Sequence, residues 1–205
     1  MTKGKNFSTN NTGKRRKSDF YETPYSITRH LLNAETFPSQ VLEPACGDGA
    51  IVKVLEENGY NVTSYDKDVD FLTETKSYDS VITNPPFSLA KEFIEKCDEI
   101  CSVKYALLLP LSYLHGKSRY DNFYQNNKIK LKNVYVFTRY PMLGETLRSD
   151  GKYNTGMMVY AWYVFEKSYT GEPMIKWIDN NADVLKKQEK QIEVSLSDLI
   201  DDFEG

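Results

Sequence analysis

Within four residues, Asn84-Pro85-Pro86-Phe87 brings together a side-chain amide, two prolines and an aromatic ring. The amide oxygen and the Pro85 carbonyl can accept hydrogen bonds, and the ring offers a face on which a planar group can stack. The prolines fix φ and remove two backbone donors, so the turn is rigid and its carbonyls point outward with few local partners. Ser80-Val81-Ile82-Thr83 reads as a buried strand before it, and a helix-like segment begins near Ser88. The tetrapeptide therefore sits at the carboxyl end of a strand, where open α/β sheets keep their chemistry.

Two further stretches carry residues that could hold a ligand. Gln40-Val41-Leu42-Glu43 predicts a short buried strand, followed by the glycine-rich turn Pro44-Ala45-Cys46-Gly47-Asp48-Gly49. Ala50 to Asn58 then predicts a helix with Ile51, Val54 and Leu55 on its apolar side. In such a β-turn-α unit the glycines let backbone come close to a ligand. The Gly-Lys-Ser/Thr ending of a phosphate-binding P-loop is absent. Asn61 to Tyr65 predicts a second strand, and Asp66 at its end stands about 20 residues after the glycine turn, placed to accept from two ribose hydroxyls. Asp70-Phe71-Leu72 adds an acceptor beside an apolar face. Roughly a dozen residues separate Asp66 from the strand at Asp79–Thr83, too few for a helix and a strand. This part of the sheet is expected to be trimmed.

The remaining elements must support these turns. Thr23 can cap a helix whose first position is Pro24, with Ile27, Leu31 and Leu32 as its apolar stripe. Leu89, Phe93, Ile94 and Cys97 mark a helix running to about Cys101. Tyr105–Leu109, Lys132–Phe137 and Met157–Phe165 read as strands, and Thr170-Gly171-Glu172-Pro173 as a turn leading to a hairpin partner at Met174–Ile178. Ser195 can cap a short last helix through Phe203. Cys97 and Cys101, one helical turn apart, read as small residues on a buried helix face. His30 and His115 read as structural or surface residues.

With 205 residues, 40% hydrophobic and 13% aromatic, the chain can bury the core of one domain. No run approaches the roughly 18 apolar residues of a membrane span, and the N-terminus lacks a signal-peptide core. Three cysteines without paired zinc spacing suggest reduced thiols in a cytoplasmic protein with no metal and no membrane partner. Six bases and no acid fall in residues 1–18; removing them from the net charge of −3 leaves −9 for the remainder. The expected organisation is a basic arm at 1–18, a catalytic domain at 19–180 with basic loops at about 112–131 and 139–155, and an acidic tail at 181–205.

The order Glu22-Thr23-Pro24, Leu42-Glu43-Pro44-Ala45-Cys46-Gly47-Asp48-Gly49, Asp66, Asp70-Phe71-Leu72, Asn84-Pro85-Pro86-Phe87 resembles S-adenosylmethionine-dependent amino-methyltransferases, and most closely the DNA adenine-N6 methyltransferases of the γ arrangement. The resemblance covers roughly residues 20–165. It implies a Rossmann-like class I α/β fold: a mostly parallel sheet with helices on both faces and an antiparallel last strand. It implies that Tyr21, Thr23 and Pro24 close over the methionine part of the cofactor. Glu43, Pro44, Ala45, Cys46 and Gly47 surround its amino acid and sulfonium. Asp66 takes the ribose, Asp70 and Phe71 the adenine, and Asn84 and Pro86 border the cofactor. Asn84 and Pro85 are the implied catalytic acceptors, and Phe87 the ring that stacks on the target base.

The residue types suit that chemistry on their own terms. An exocyclic aromatic amine is a poor nucleophile because its lone pair is delocalised into the ring. Two acceptors can draw its N–H bonds toward tetrahedral geometry and localise the lone pair, and positioning supplies the rest. Stacking on Phe87 is worth about 1–3 kcal/mol per base, and a base in a duplex must first be flipped out. Tyr140 before Pro141 is the candidate second stacking aromatic. Lys117, Arg119, Tyr120 and Arg148 lie in the two basic, aromatic segments that could track a nucleic-acid backbone. The large C-terminal target-recognition domain of γ enzymes has no counterpart here, an architecture suited to a phage or mobile-element protein. Adenine in RNA, a protein glutamine amide, and a catalytically silent nucleic-acid-binding module of the same fold are the alternatives.

Overall fold

The computed structural model describes residues 23–66, 68–125, 128–138 and 159–180. Three helices, α1 (Tyr25–Ala34), α2 (Ala50–Glu57) and α3 (Ala90–Ile100), pack on a seven-stranded sheet. Its strands are β1 (Gln40–Glu43), β2 (Asn61–Ser64), β3 (Tyr78–Thr83), β4 (Cys101–Pro110), β5 (Leu131–Phe137), β6 (Tyr160–Glu166) and β7 (Met174–Ile178). The order across the sheet is β2-β1-β3-β4-β6-β5-β7. β1 to β4 pair in parallel, and β6 lies antiparallel between β4 and β5.

Side-chain alternation along the strands builds two separate cores. Val81, Leu107, Tyr163 and Phe165 face Phe93, Ile94 and Cys97 of α3. Their sequence neighbours Ile82, Leu108, Trp162 and Val164 face Ile27 and Leu31 of α1 and Ile51 and Leu55 of α2. A period-two strand with both faces covered is apolar along its buried stretch, as at Val81–Ile82 of β3, Tyr105–Leu109 of β4 and Ala161–Phe165 of β6, and the buried Ser80 and Thr83 of β3 are hydrogen-bonded. Helices thus cover both faces, and the antiparallel strand is β6, the last of the core strands.

Two local expectations are corrected. Met174–Ile178 is not a hairpin partner of the strand before it: β7 pairs in parallel with β5. Both edges of β6 are already taken by β4 and β5, so the free edge of β5 is the one that can receive it. Pro24 is the N-cap of α1 (φ −57°, ψ 134°) rather than its first helical residue, and Thr23 does not cap that helix. Its hydroxyl is used elsewhere.

The trimmed segment after β2 is present as expected. A single 3₁₀ turn, Phe71–Thr73, replaces a helix and strand, leaving β2 as the sheet's edge. Tyr65 and Tyr78 share a hydroxyl–hydroxyl hydrogen bond of 2.8 Å, and Tyr78 donates to Glu74 at 3.0 Å. Backbone N–H groups of Lys76 and Thr75 also donate to Glu74, holding its carboxyl down at about 2.

At the opposite end of the sheet from the turns, Lys104 bridges Glu35 (3.0 Å) and Glu166 (3.1 Å). Burial alone would raise Glu35, but donation from Tyr135, Lys104 and Asn133 outweighs it and keeps the carboxyl below its ordinary range. This network fastens the end of α1 to β4, β5 and β6. Removing the cation leaves the buried Glu35 carboxylate without its ion pair, while Glu166 keeps Lys132, so Lys104→Met is expected to lower unfolding free energy by about 3–5 kcal/mol in urea titrations. A loss under about 1 kcal/mol would mean that water already screens the group.

Candidate active site

The site forms where the chain leaves the carboxyl ends of β1, β2 and β3. After β1, the turn at Pro44–Gly49 is closed by a Gly49 N–H to Cys46 carbonyl bond of 2.8 Å. Gly47 (φ 50°) and Gly49 (φ 82°) supply left-handed backbone that a side chain would resist. Cys46 donates its N–H to the Tyr65 carbonyl at 2.8 Å, and Tyr65 donates to the Glu43 carbonyl at 2.9 Å, so the turn is laced to the end of β2 beside Asp66. Burial, then the charges of Glu43 and Asp66, push the Cys46 thiol up, which keeps it protonated and unreactive.

Glu43 is fully buried. Its Oε1 accepts from the Ala45 N–H at 2.9 Å and the Thr83 hydroxyl at 2.7 Å, while Oε2 is buried with no partner among the described residues. Burial drives the carboxyl up to about 8 against the lowering pull of those two donors, so it is mostly neutral at pH 7.

After β3, Pro86 accepts from the Leu89 N–H at 2.9 Å, and the 3₁₀ turn Phe87–Leu89 leads directly into α3. Pro85 is buried, and Phe87 is half-buried. The Asn84 amide donates through Nδ2 to the Thr23 hydroxyl at 3.0 Å. Its Oδ1 is buried and meets no donor among the described residues. An unpartnered buried acceptor costs about 1–3 kcal/mol. Thr23, expected at a helix cap, instead takes the donor end of this amide and leaves the buried Oδ1 as the end without a partner among the described residues.

A concavity of about 300 Å³ lies beside the turns, lined by Pro44, Ala45, Asp66, Asp70, Phe71 and Pro86 among others. Asp70 also caps the Phe71–Thr73 turn by accepting from Leu72 N–H at 3.1 Å, and Phe71 packs on Phe93 with ring centroids 4.8 Å apart. Carboxylates next to apolar walls suit a nucleoside, with ring on the walls and hydroxyls on the acids. The structure thus brings together Thr23, Glu43, Pro44, Ala45, Cys46, Gly47, Asp66, Asp70, Phe71, Asn84, Pro85, Pro86 and Phe87 around the ends of three strands. Pro24 stands one residue beyond Thr23.

Other expected residues lie apart or outside. Tyr21, Tyr140 and Arg148 lie outside the described residues, as do the arm at 1–18, the segment 139–155 and the tail at 181–205. Lys117, Arg119 and Tyr120 lie past the end of β4, in a short helix (Lys117–Arg119) and a π turn (Tyr120–Tyr124). One aromatic was missed: Tyr160, at the start of β6, stacks on Phe87 with centroids 5.4 Å apart and planes at 27°. No local pattern links two residues so far apart in the chain, so only strand order could reveal it. Among the described residues, no cluster of histidine, cysteine and carboxylate side chains is placed to hold a metal, and no helix is long and apolar enough to cross a membrane.

No family model matches the chain, and no curated protein matches it in sequence. Solved structures do share its fold. A modification subunit assigned to a type I restriction enzyme from Vibrio vulnificus YJ016 superposes with a TM-score of 0.54 at 13% identity, over 78% of this chain and 47% of that one. A protein from Listeria monocytogenes assigned to the class I S-adenosylmethionine-dependent methyltransferases gives 0.53 at 14% identity, over 83% and 70%. A predicted O-methyltransferase from Agrobacterium tumefaciens gives 0.52 at 12%, over 76% and 86%. The chain has the class I S-adenosylmethionine-dependent methyltransferase fold. It spans about half the length of the Vibrio subunit.

The neutral Glu43 carboxyl gives this site a pH signature. A carboxyl near 8 in the folded chain, against an ordinary 4.5, binds its proton more tightly folded than unfolded. Its stabilising contribution is therefore complete below 4.5 and is lost as pH rises through about 8. Glu43→Gln keeps an acceptor in place without the charge and is expected to flatten that decline. Thermal melts of both proteins between pH 5 and 8.5 measure it; parallel curves would show Glu43 ionised when folded.

Proposed function

We propose that this protein is an S-adenosylmethionine-dependent methyltransferase that modifies the exocyclic N6 amine of adenine in DNA. The observation that carries this reading is the buried, unpartnered Oδ1 of Asn84, set next to the rigid prolines and the half-buried Phe87 ring. A donor is what that acceptor lacks, and an aromatic amine stacked on Phe87 supplies one. The motif order of the chain supports adenine N6 as the amine. The shared fold with a restriction-enzyme modification subunit is in keeping with DNA.

The site fits the cofactor on its own geometry: a concavity with Asp66 and Asp70 beside apolar walls, and a glycine turn whose backbone can approach a ligand. Asp66 would hold the ribose, Asp70 and Phe71 the adenine, and Glu43, Ala45, Cys46 and Gly47 the methionine part, with Thr23, Pro24 and Tyr21 closing over it. S-adenosylmethionine, when bound, supplies an electrophilic methyl group. The protein's own task is to prepare the amine. Asn84 Oδ1 and the Pro85 carbonyl accept its two N–H bonds and pull the nitrogen from planar toward tetrahedral, which returns the lone pair to nitrogen. Both acceptors are too weak to act as bases, so the proton that the amine loses goes to solvent. Thr23 contributes by fixing the amide, since a rotated Asn84 would present a donor to a donor.

Labelled methyl transfer to adenine-containing duplex, single-stranded DNA, tRNA and a peptide panel tests the reading. Transfer to peptide with none to nucleic acid would sink it. Asn84→Ala is expected to abolish transfer while calorimetric cofactor affinity stays near normal, and Asp66→Ala to weaken cofactor binding first. Thr23→Val removes one hydrogen bond and is expected to lower kcat about tenfold. An unchanged kcat would mean that Asn84 needs no such support.

A further inference from the structure

The start of α3 borders two concavities: Leu89 and Phe93 line the cofactor-sized one, and Lys91 lines a second of about 320 Å³. This second concavity is lined by Lys91, Tyr113, Gly116, Lys117, Arg119 and Phe123, three of them cationic. It is built onto the same frame as the acceptor site. A 3₁₀ turn, Leu111–Leu114, follows β4 directly, and the Leu111 N–H donates to the Val159 carbonyl at 2.8 Å. Val159 precedes Tyr160, the residue stacked on Phe87. Tyr163 donates to the Pro110 carbonyl at 3.1 Å and Tyr124 to the Tyr113 carbonyl at 3.1 Å, so the floor is pinned from β6 and from the π turn.

Arg119 is held in this concavity by neutral groups. Its Nη1 donates to the His115 carbonyl, and its guanidinium carbon lies 4.1 Å from the centroid of the buried Tyr113 ring. Among the described residues it makes no ion pair with a carboxylate. Gly116 makes this placement possible. At φ 124°, a Cβ there would sit 3.0 Å from Arg119 Nη1. The flanking cations are engaged only at the surface: Lys117 with Asp121 at 2.5 Å, and Lys91 with Glu95 at 3.7 Å. Such exposed pairs are worth little and yield readily to a stronger anion. A guanidinium has five donors in a rigid fork matched to a phosphate, and this one is oriented without an ion pair among the described residues.

We propose that this concavity binds a phosphodiester of the strand that carries the acceptor base, with Arg119 as the central ligand and Lys91 and Lys117 beside it. The proposal rests on the nucleic-acid reading above and adds where the backbone lies. Lys91 stands four residues after Phe87, so a phosphate here flanks a base held at that ring. The site is indifferent to sequence, because phosphate contacts position a strand without reading it.

The test is fluorescence anisotropy of the full chain with labelled single-stranded and duplex oligonucleotides at 50–200 mM salt, conditions over which counterion release is read. Lys91→Gln and Arg119→Gln are each expected to weaken binding several-fold for every sequence and to reduce the slope of log affinity against log salt by about one. Lys91 is exposed, so its variant is expected to fold normally even if loss of the Arg119–Tyr113 contact loosens the other. Unchanged slopes in a folded Lys91→Gln and a folded Arg119→Gln would overturn the proposal. Inorganic phosphate and a dinucleotide, titrated separately while the Arg119 Nε–H resonance is followed, distinguish a free anion from a strand. Displacement by the dinucleotide at concentrations where phosphate is silent supports a strand site, and response to phosphate alone overturns it. Because binding needs no methyl transfer, intact salt-dependent binding without transfer would fail the enzyme reading and leave this site standing.

Discussion

One carboxyl oxygen, Glu43 Oε1, takes the Ala45 N–H and the Thr83 hydroxyl together, and in doing so ties the turn after β1 to the end of β3. The two turns that border the site are therefore held at a fixed separation by a group inside the protein. Full burial makes this connection rigid and also makes it costly if charged, which is why the carboxyl sits near 8 and is mostly neutral at pH 7. The proline turn, the buried Asn84 oxygen and the ring of Phe87 all depend on β3 ending where this tie holds it.

The rest of the sheet serves the same rim. Alternating side chains on β3, β4 and β6 lock α3 on one face and α1 and α2 on the other, so the strand ends cannot shift relative to each other. Placing β6 between β4 and β5 carries Tyr160 to Phe87 and ties the Leu111–Leu114 turn to the same edge. A hydroxyl relay through Tyr65, Tyr78 and Glu74 holds the shortened segment that carries Asp70 and Phe71. The contacts of Tyr160 and of the Leu111–Leu114 turn lie at the rim that carries the site, while Tyr78 reaches Tyr65 from the amino end of β3. The Lys104 network works at the other end and supplies stability without touching the site.

Much of this was legible in the chain. Short apolar stretches followed by glycine or proline turns marked β1, β3 and β4, because strands covered on both faces are mostly apolar and bury polar groups only where these are hydrogen-bonded. The spacing between Asp66 and β3 announced the trimmed segment, since chain length bounds what can form there. Met174–Ile178 was misjudged because a turn followed by an apolar run looks the same whether the strand returns to its predecessor or passes to another edge. Thr23 was misjudged for a related reason: a hydroxyl before a proline-led helix resembles a cap, and the competing partner lies 61 residues away.

By itself, then, the sequence determined the alternation of strands, turns and helices, and which residue types stand at each strand end. Those follow from local patterning and from the conformational limits of proline and glycine. Tertiary structure alone decided how those types act: that Asn84 keeps a buried acceptor without a partner among the described residues because Thr23 takes its donor, that Glu43 joins two turns, that Phe87 rests on Tyr160, and that Arg119 lies over Tyr113 without an ion pair among the described residues. Each of these except the last joins residues about 40 or more positions apart, and all are set by strand order and close packing. Periodicity cannot encode such pairings, because it records which face a residue takes and not which residue it meets there.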